Sequence, residues 1–408
     1  MSSVVERFLK YVSFDTMSDL NSETCPSSDK QKILGNALVE EMKAMGVSNV
    51  SIDENGYVYG DVPAKNAAAS APILAFIAHM DTSPDLSGKD VKPSIIKAYD
   101  GGDIILNKEK NIVMSPSEFE HMHRYIGQDL IVTDGTTLLG ADNKAGIAEI
   151  LTFVECLLKD ETASHGPLRI VFTPDEEIGR GANLINLDRI GADFGYTVDG
   201  GELGEIEYEN FNAASAEIVI NGLSIHPGSA KGKMKNALLI GMAFQALLPE
   251  FDNPAYTEGY EGFNHLVLMS GSVERATLGY IIRDHDMAKF KEKKVMFEQA
   301  ADFLNKKYGT NTVVLDIKDS YYNMKEKIEP HMHLIENAKA AMKAVDVLPI
   351  EVPIRGGTDG SRLSYMGLPC PNICTGGHNF HGKFEYITVQ SMEKTVEILL
   401  EIVKRYAK

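Results

Sequence analysis

Six consecutive apolar residues, Ile73-Leu74-Ala75-Phe76-Ile77-Ala78, run directly into His79-Met80-Asp81. A strand with one wet face alternates polar and apolar side chains, so a run that is apolar throughout has to be covered on both faces. That restricts the chain to folds in which helices sandwich a largely parallel sheet. The abrupt change at His79 marks the carboxyl end of the strand, where open α/β sheets collect their ligands. The same alternation continues downstream, with a helix expected over Lys144 to Leu158 and extended runs at Leu168 to Phe172 and Phe194 to Val198. Upstream, Val4, Phe8, Leu9 and Val12 predict a first helix, Met17 to Lys30 reads as a polar loop, and Ile33 to Met45 reads as a second helix.

A chain of 408 residues is too long for one hydrophobic core. Beyond about residue 210 the pattern becomes a self-contained unit: a strand at Ala214 to Ile220, a helix at Asn236 to Leu248, two extended runs, a helix marked by Phe290, Phe297, Ala301 and Leu304, and a strand at Thr312 to Ile317. This β-α-β-β-α-β order is that of a split βαβ, ferredoxin-like sandwich. The expected architecture is therefore a mixed-sheet α/β catalytic domain in two segments, 1–209 and 323–408, interrupted by an inserted α+β lid over 210–322.

Charge and composition exclude whole classes of function. Acidic residues outnumber basic ones 58 to 40, for a formal net charge of −18, which opposes any broad affinity for nucleic acid or anionic lipid. The longest apolar stretch, Ala237 to Leu248, contains Gly241 and Gln245 and is too short to span a bilayer, and the first residues lack the apolar core of a secretory signal. Four cysteines (Cys25, Cys156, Cys370, Cys374) form no disulfide framework. Cytoplasmic residence is expected.

The chemistry gathers where strands end. His79 and Asp81 close the first apolar strand, Asp142 opens a helix, and Asp175-Glu176-Glu177 follows the strand ending at Thr173. Asp199 follows Tyr196-Thr197-Val198, and His381 ends Gly376-Gly377-His378-Asn379-Phe380-His381. Two imidazoles with several carboxylates suit zinc, or another borderline divalent metal, better than calcium or magnesium. With Asp142, Glu177 and Asp199 as charged ligands and His79 and His381 as neutral ones, two dications keep one positive charge, which a hydroxide cancels; hydroxide is also the nucleophile of a two-metal hydrolase. Asp81 is placed to fix the tautomer of His79, and Glu176 to act as general base and then acid. His121-Met122-His123 and His331-Met332-His333 have no acidic partner loop and are expected to be surface or helix-start histidines.

These residues fall in motifs that resemble a known family. His79-Met80-Asp81-Thr82-Ser83-Pro84-Asp85, Thr137 through Gly146 with Gly140-Ala141-Asp142-Asn143-Lys144 at its centre, and Thr173-Pro174-Asp175-Glu176-Glu177-Ile178-Gly179 closely resemble the peptidase T group of tripeptide aminopeptidases. So do Ile225-His226-Pro227-Gly228, Pro353-Ile354-Arg355-Gly356-Gly357-Thr358-Asp359-Gly360 and Asn379-Phe380-His381-Gly382. That group lies within the dizinc metallopeptidases that include carboxypeptidase G and aminoacylase. The resemblance implies two Zn²⁺ per subunit, one held at His79 and Asp199, the other at Glu177 and His381, with Asp142 bridging. It also implies Asp81 as the orienting acid, Glu176 as the general base, and His226 of the inserted domain as a donor to the oxyanion. Asn143 departs from the Asp usual after the bridging residue, and His378 replaces an expected aromatic and is read as lining the pocket. Relatives imply a monomer or a homodimer through the lid.

A tripeptide aminopeptidase has to recognise the far carboxylate of its substrate, for which the planar fork of arginine is suited. Arg283 and Arg355 are the candidates, with Asn379 as a further pocket contact; an internal ion pair with Asp284 or Asp286 is the competing use of Arg283. Dipeptides, C-terminal residues or N-acyl amino acids would need only different pocket contacts around the same metals.

Overall fold

The structure, a computed structural model, describes residues 2–408. The chain divides into two compact units, one comprising residues up to 208 with 326–352 and 358–408, the other 209–325 with 353–357.

The larger unit is built on a mixed eight-stranded sheet in the order Ser48–Ile52, Val58–Val62, Leu168–Thr173, Leu74–His79, Phe194–Gly200, Asn372–Cys374, Glu205–Glu207, Ile350–Glu351. The four strands from Leu168–Thr173 to Asn372–Cys374 run parallel, and antiparallel neighbours flank them. Leu74–His79 is buried at every position, as a strand in the middle of a covered sheet must be. The helix Ala141–Lys159 packs on this strand and on Phe194–Gly200. Its sequence has no polar face over its first turns, and residues 143–154 are all buried. Gly146 permits the close approach, since a Cβ there would fall on the carbonyl oxygen of Val198. The closing helix Val389–Arg405 buries Met392, Val396, Leu399 and Val403, the stripe expected from their spacing, and Thr388 caps it by accepting from the Ser391 N–H. A second sheet, Gly377–His378, Tyr386–Thr388, Leu130–Val132, Ser94–Ile96, is antiparallel and carries the loop that ends in His381.

The smaller unit is a four-stranded antiparallel sheet ordered Phe263–Gly271, Arg275–Asp284, Asn212–Asn221, Val313–Tyr321, with helices Ala237–Gln245 and Met287–Tyr308. In chain order this is the β-α-β-β-α-β arrangement read from the sequence. Period-two alternation along Arg275–Asp284 buries Ala276, Leu278, Tyr280 and Ile282, which join Ile218, Ile220, Phe244 and Phe297 in a separate core. Asn236 and Asp286 cap the two helices, accepting from Leu238 and Leu239, and from Lys289. One segment differs from the sequence reading: Pro353–Gly357 groups with this unit, not with the closing segment. The reason is Arg355, whose guanidinium donates to the carbonyls of Thr257, Gly259 and Glu261 and lies over the rings of Phe211 and Phe263. Among the described residues no helix is long and apolar enough to cross a membrane.

Candidate metal centre and active site

All five expected ligands lie in the larger unit, on segments that leave its strands or open its main helix. His79 is the last residue of Leu74–His79, Asp199 lies near the end of Phe194–Gly200, and Asp142 stands in the first turn of Ala141–Lys159. His79 Nε2 is 2.8 Å from Asp142 Oδ1 and 3.3 Å from Asp199 Oδ1. His381 Nε2 is 3.0 Å from Asp142 Oδ2 and 2.9 Å from Glu177 Oε2. Asp142 therefore offers one oxygen to each imidazole. Donor atoms of His79, Asp142 and Glu177, and of His79, Glu176 and Asp199, lie within 4.8 Å of one another.

The donor set fits a pair of divalent ions. Glu177 Oε1 is buried without a hydrogen-bond partner. Among the described residues the ion-pair partners of Asp142, Asp199 and Glu177 are the two imidazoles. Burial, and after it the charge of Asp142, pushes Glu177 up to about 8; burial likewise raises Asp199 and lifts Glu176 well above the carboxylate range. Bonds to Asp142 and Glu177 raise His381 to about 11. At His79 burial favours the neutral ring, but Asp199, Asp142 and Asp81 outweigh it and the imidazole is raised. Crowded carboxylates that recruit protons in this way are a site built for positive charge.

Asp81 is buried and orients its surroundings. His79 Nδ1 faces the Asp81 carbonyl at 3.0 Å and its Oδ1 at 3.2 Å, so the proton sits on Nδ1 and the Nε2 lone pair points at the carboxylates. Asp81 also accepts from the N–H groups of Glu176 and Glu177 at 3.0 and 3.1 Å, and from the hydroxyl of Ser18.

Sequence reasoning missed the segment that holds these loops. Residues 14–31 contain neither strand nor helix until Lys30, yet they bond to three of the site's loops. Phe14 O accepts from buried Lys144 Nζ at 2.7 Å, Thr16 O from the Thr82 N–H, and Ser22 O from Arg180 Nη1. Asp175 accepts from Ser27 N, Ser27 Oγ and Gln31 Nε2 at 2.5–2.6 Å. The available signal was its run of hydroxyl and amide side chains, which carries no periodicity. Asp359, in the Gly-rich motif, is buried and accepts from Thr173 Oγ1 at 2.8 Å.

The remaining candidates are placed as follows. Asn379 Nδ2 donates to Phe384 O at 3.1 Å and so closes the loop that presents His381; both Asn379 and His381 have positive φ. In the smaller unit, exposed His226 accepts the Gly228 N–H on Nδ1 at 3.2 Å. Arg283 Nη1 donates to the carbonyls of Ala214 and Ile282, and its guanidinium lies over Tyr321. Asp284 and Asp286 are engaged elsewhere, accepting from the Asp286 and Lys289 N–H groups. Arg355 corrects the sequence reading: both terminal nitrogens are committed to the 257–261 loop, so it does not present a free fork to a carboxylate. His378 is also corrected, because its ring packs against those of His121 and Tyr386, which also stack on each other, with Nε2 2.7 Å from Tyr125 Oη. His121 thereby belongs to an aromatic cluster and not to the open surface, whereas His123 is exposed and His333 opens the helix His333–Ala344.

Residues 134–405 match the model of Peptidase family M20/M25/M40. A protein named Peptidase T from Caldanaerobacter subterraneus subsp. tengcongensis is 58% identical over 408 residues, covering all of both chains. Among solved structures, aminopeptidase PepT from Bacillus cereus superposes with a TM-score of 0.78 at 24% identity, covering 100% of this chain and 98% of that one. The Bacillus subtilis YXEP protein, described as a dinuclear metal-binding peptidase, superposes at 0.65 with 11% identity, covering 99% and 97%. Strand-end ligands, the two-unit fold and the full-length likeness converge, and the chain belongs to Peptidase family M20/M25/M40, as a peptide hydrolase.

Proposed function

We propose that the protein is a zinc-dependent aminopeptidase that releases the N-terminal residue from tripeptides. The observation that carries this reading is the convergence of His79, Asp142, Glu177, Asp199 and His381 beside a sixth group, Glu176. His79 and Asp199 would hold one ion, Glu177 and His381 the other, and Asp142 both. When bound, the ions supply Lewis-acid charge that lowers the pKa of water and stabilises a developing oxyanion. Glu176 takes the proton from the attacking water and returns it to the leaving amine; burial raises its carboxyl towards the range such a shuttle needs. Asp81 keeps the His79 proton on Nδ1 and so leaves Nε2 free to ligate.

On the substrate side, the bond from Gly228 N–H to His226 Nδ1 puts that ring's proton on Nε2, the form able to donate to an oxyanion. Arg283 commits only Nη1 to backbone carbonyls, against both terminal nitrogens in Arg355, and is the arginine assigned to the far carboxylate. Free thiols at all four cysteines accord with a cytoplasmic enzyme. A monomer, or a homodimer through the smaller unit, is the expected assembly.

Metal analysis combined with product identification on free, amidated and N-acetylated di-, tri- and tetrapeptides tests the proposal. Two zinc ions per chain and N-terminal cleavage confined to free tripeptides are expected. Preferential hydrolysis of the N-acetylated peptides would overturn it, and equal rates on amidated tripeptides would remove the carboxylate anchor. Glu176→Gln should keep both ions and lose about 10²–10⁴-fold in kcat.

A further inference from the structure

We infer that Glu385, a residue outside every motif considered so far, is a positioning residue that fixes Asp142 between the two imidazoles. The backbone leading into the helix Ala141–Lys159 is irregular: Asp142 and Asn143 have non-helical dihedrals, and Asn143 caps the regular turns that follow, its Oδ1 accepting from the Gly146 N–H at 3.1 Å. The N–H groups of Leu139, Gly140 and Asp142 lie ahead of that cap, outside the helix's own hydrogen bonds, and must find acceptors elsewhere. Here the acceptor comes from far along the chain. Glu385 Oε2 accepts from Leu139 N at 2.6 Å and Gly140 N at 2.8 Å, and Oε1 accepts from Asp142 N at 3.1 Å. The side chain is 1% exposed, so these bonds are shielded from competing water.

Two features make this more than a local tether. Glu385 lies on the same turn as His381, and its own N–H donates to Gly382 O at 3.2 Å. The loop of Asp142 and the loop of His381 are therefore joined twice, through Asp142 Oδ2 to His381 Nε2 at 3.0 Å and through Asp142 N to Glu385 Oε1. The second join sets the position of the first. The acceptor is also a carboxylate placed near Lys144, a buried cation one turn into the same helix that is itself tied to Phe14 O. Three N–H donors hold that carboxylate in one orientation, which in turn holds the backbone from Leu139 to Asp142.

This inference rests on the two-metal reading, and the experiment separates the two. Zinc binding to the full, chelator-stripped chain is titrated against a competing chelator, and kcat and KM are measured on a free tripeptide, for the parent, Glu385→Gln and Glu385→Asp. The amide of glutamine turns an N–H₂ towards backbone N–H donors. E385Q should still bind two ions, with about 10–100-fold weaker affinity for one of them and a similar fall in kcat. KM should stay within about threefold of the parent, and E385D should recover part of both losses. Parental zinc affinity and kcat in folded E385Q would overturn the positioning role. A parent that binds no pair of zinc ions would instead sink the two-metal reading. Amide hydrogen exchange of the parent serves if the variants do not fold: slow exchange at Leu139, Gly140 and Asp142 is expected, and fast exchange there overturns the clamp.

Discussion

His378 shows how much one half-buried side chain can contribute to acid sensitivity. Its ring packs against both His121 and Tyr386, and burial, followed by the charges of His121 and Arg124, lowers it to about 3. In the unfolded chain it takes a proton near pH ~6.5. Between those values the unfolded state binds the extra proton, so stability contributed by the neutral ring is present above about pH 6.5 and is lost as pH falls towards 3. His378→Phe should flatten the acid limb of a urea-unfolding series between pH 7 and 4.5; an unchanged slope would place the sensitivity elsewhere. Asp81 makes the opposite point, that an acid can act through what it holds. Asp81→Ala removes the acceptor for His79, Ser18 and two backbone N–H groups, and a fall in kcat of about 10–100-fold is expected in peptide hydrolysis. The placement of His79 and Asp81 at a strand's carboxyl end was open to sequence reasoning because they end an apolar run. That of Arg355 and His378 was not, since their partners at 257–261 and 121–125 are remote in sequence and ordinary in composition.

Among the elements, the strand Leu74–His79 and the helix Ala141–Lys159 were legible from hydrophobic pattern alone, and with them the end of the sheet at which the candidate ligands converge. Residues 14–31 were not. Their contribution is made through backbone carbonyls and small hydroxyls bonded to Thr82, Lys144, Asp175 and Arg180, and such bonds leave no period in the sequence. The packing of helix on sheet yields a sharp test at Gly146. An added methyl group would fall on the Val198 carbonyl and the Asn143 side chain, pushing the helix that bears Asp142 away from the strand that bears Asp199. Gly146→Ala should cost about 1–3 kcal/mol in denaturant unfolding and weaken metal retention on dialysis; retention equal to the parent would show that the two elements tolerate the shift.

For the molecule as a whole, each unit has its own hydrophobic core, and all five proposed metal ligands belong to the larger one. Ligand binding stabilises only what folds to make the site. Zinc at ~1,000 times its dissociation constant should add about 4 kcal/mol to the larger unit, and chelation should remove it. Calorimetry, or hydrogen exchange resolved by peptide, should find protection of the core around Phe244, Leu278 and Phe297 indifferent to the metal; equal gains in both units would show that they unfold together. The insertion of residues 209–325 also has a consequence in time. Four of the proposed ligands precede the inserted unit and His381 follows it, so a growing chain would carry an incomplete ligand set while the ribosome makes everything between Asp199 and His381. At ~5–20 residues per second that interval is on the order of tens of seconds. On the two-metal reading, a chain arranged in this way cannot complete its metal site until the second half of its scaffold has been synthesised.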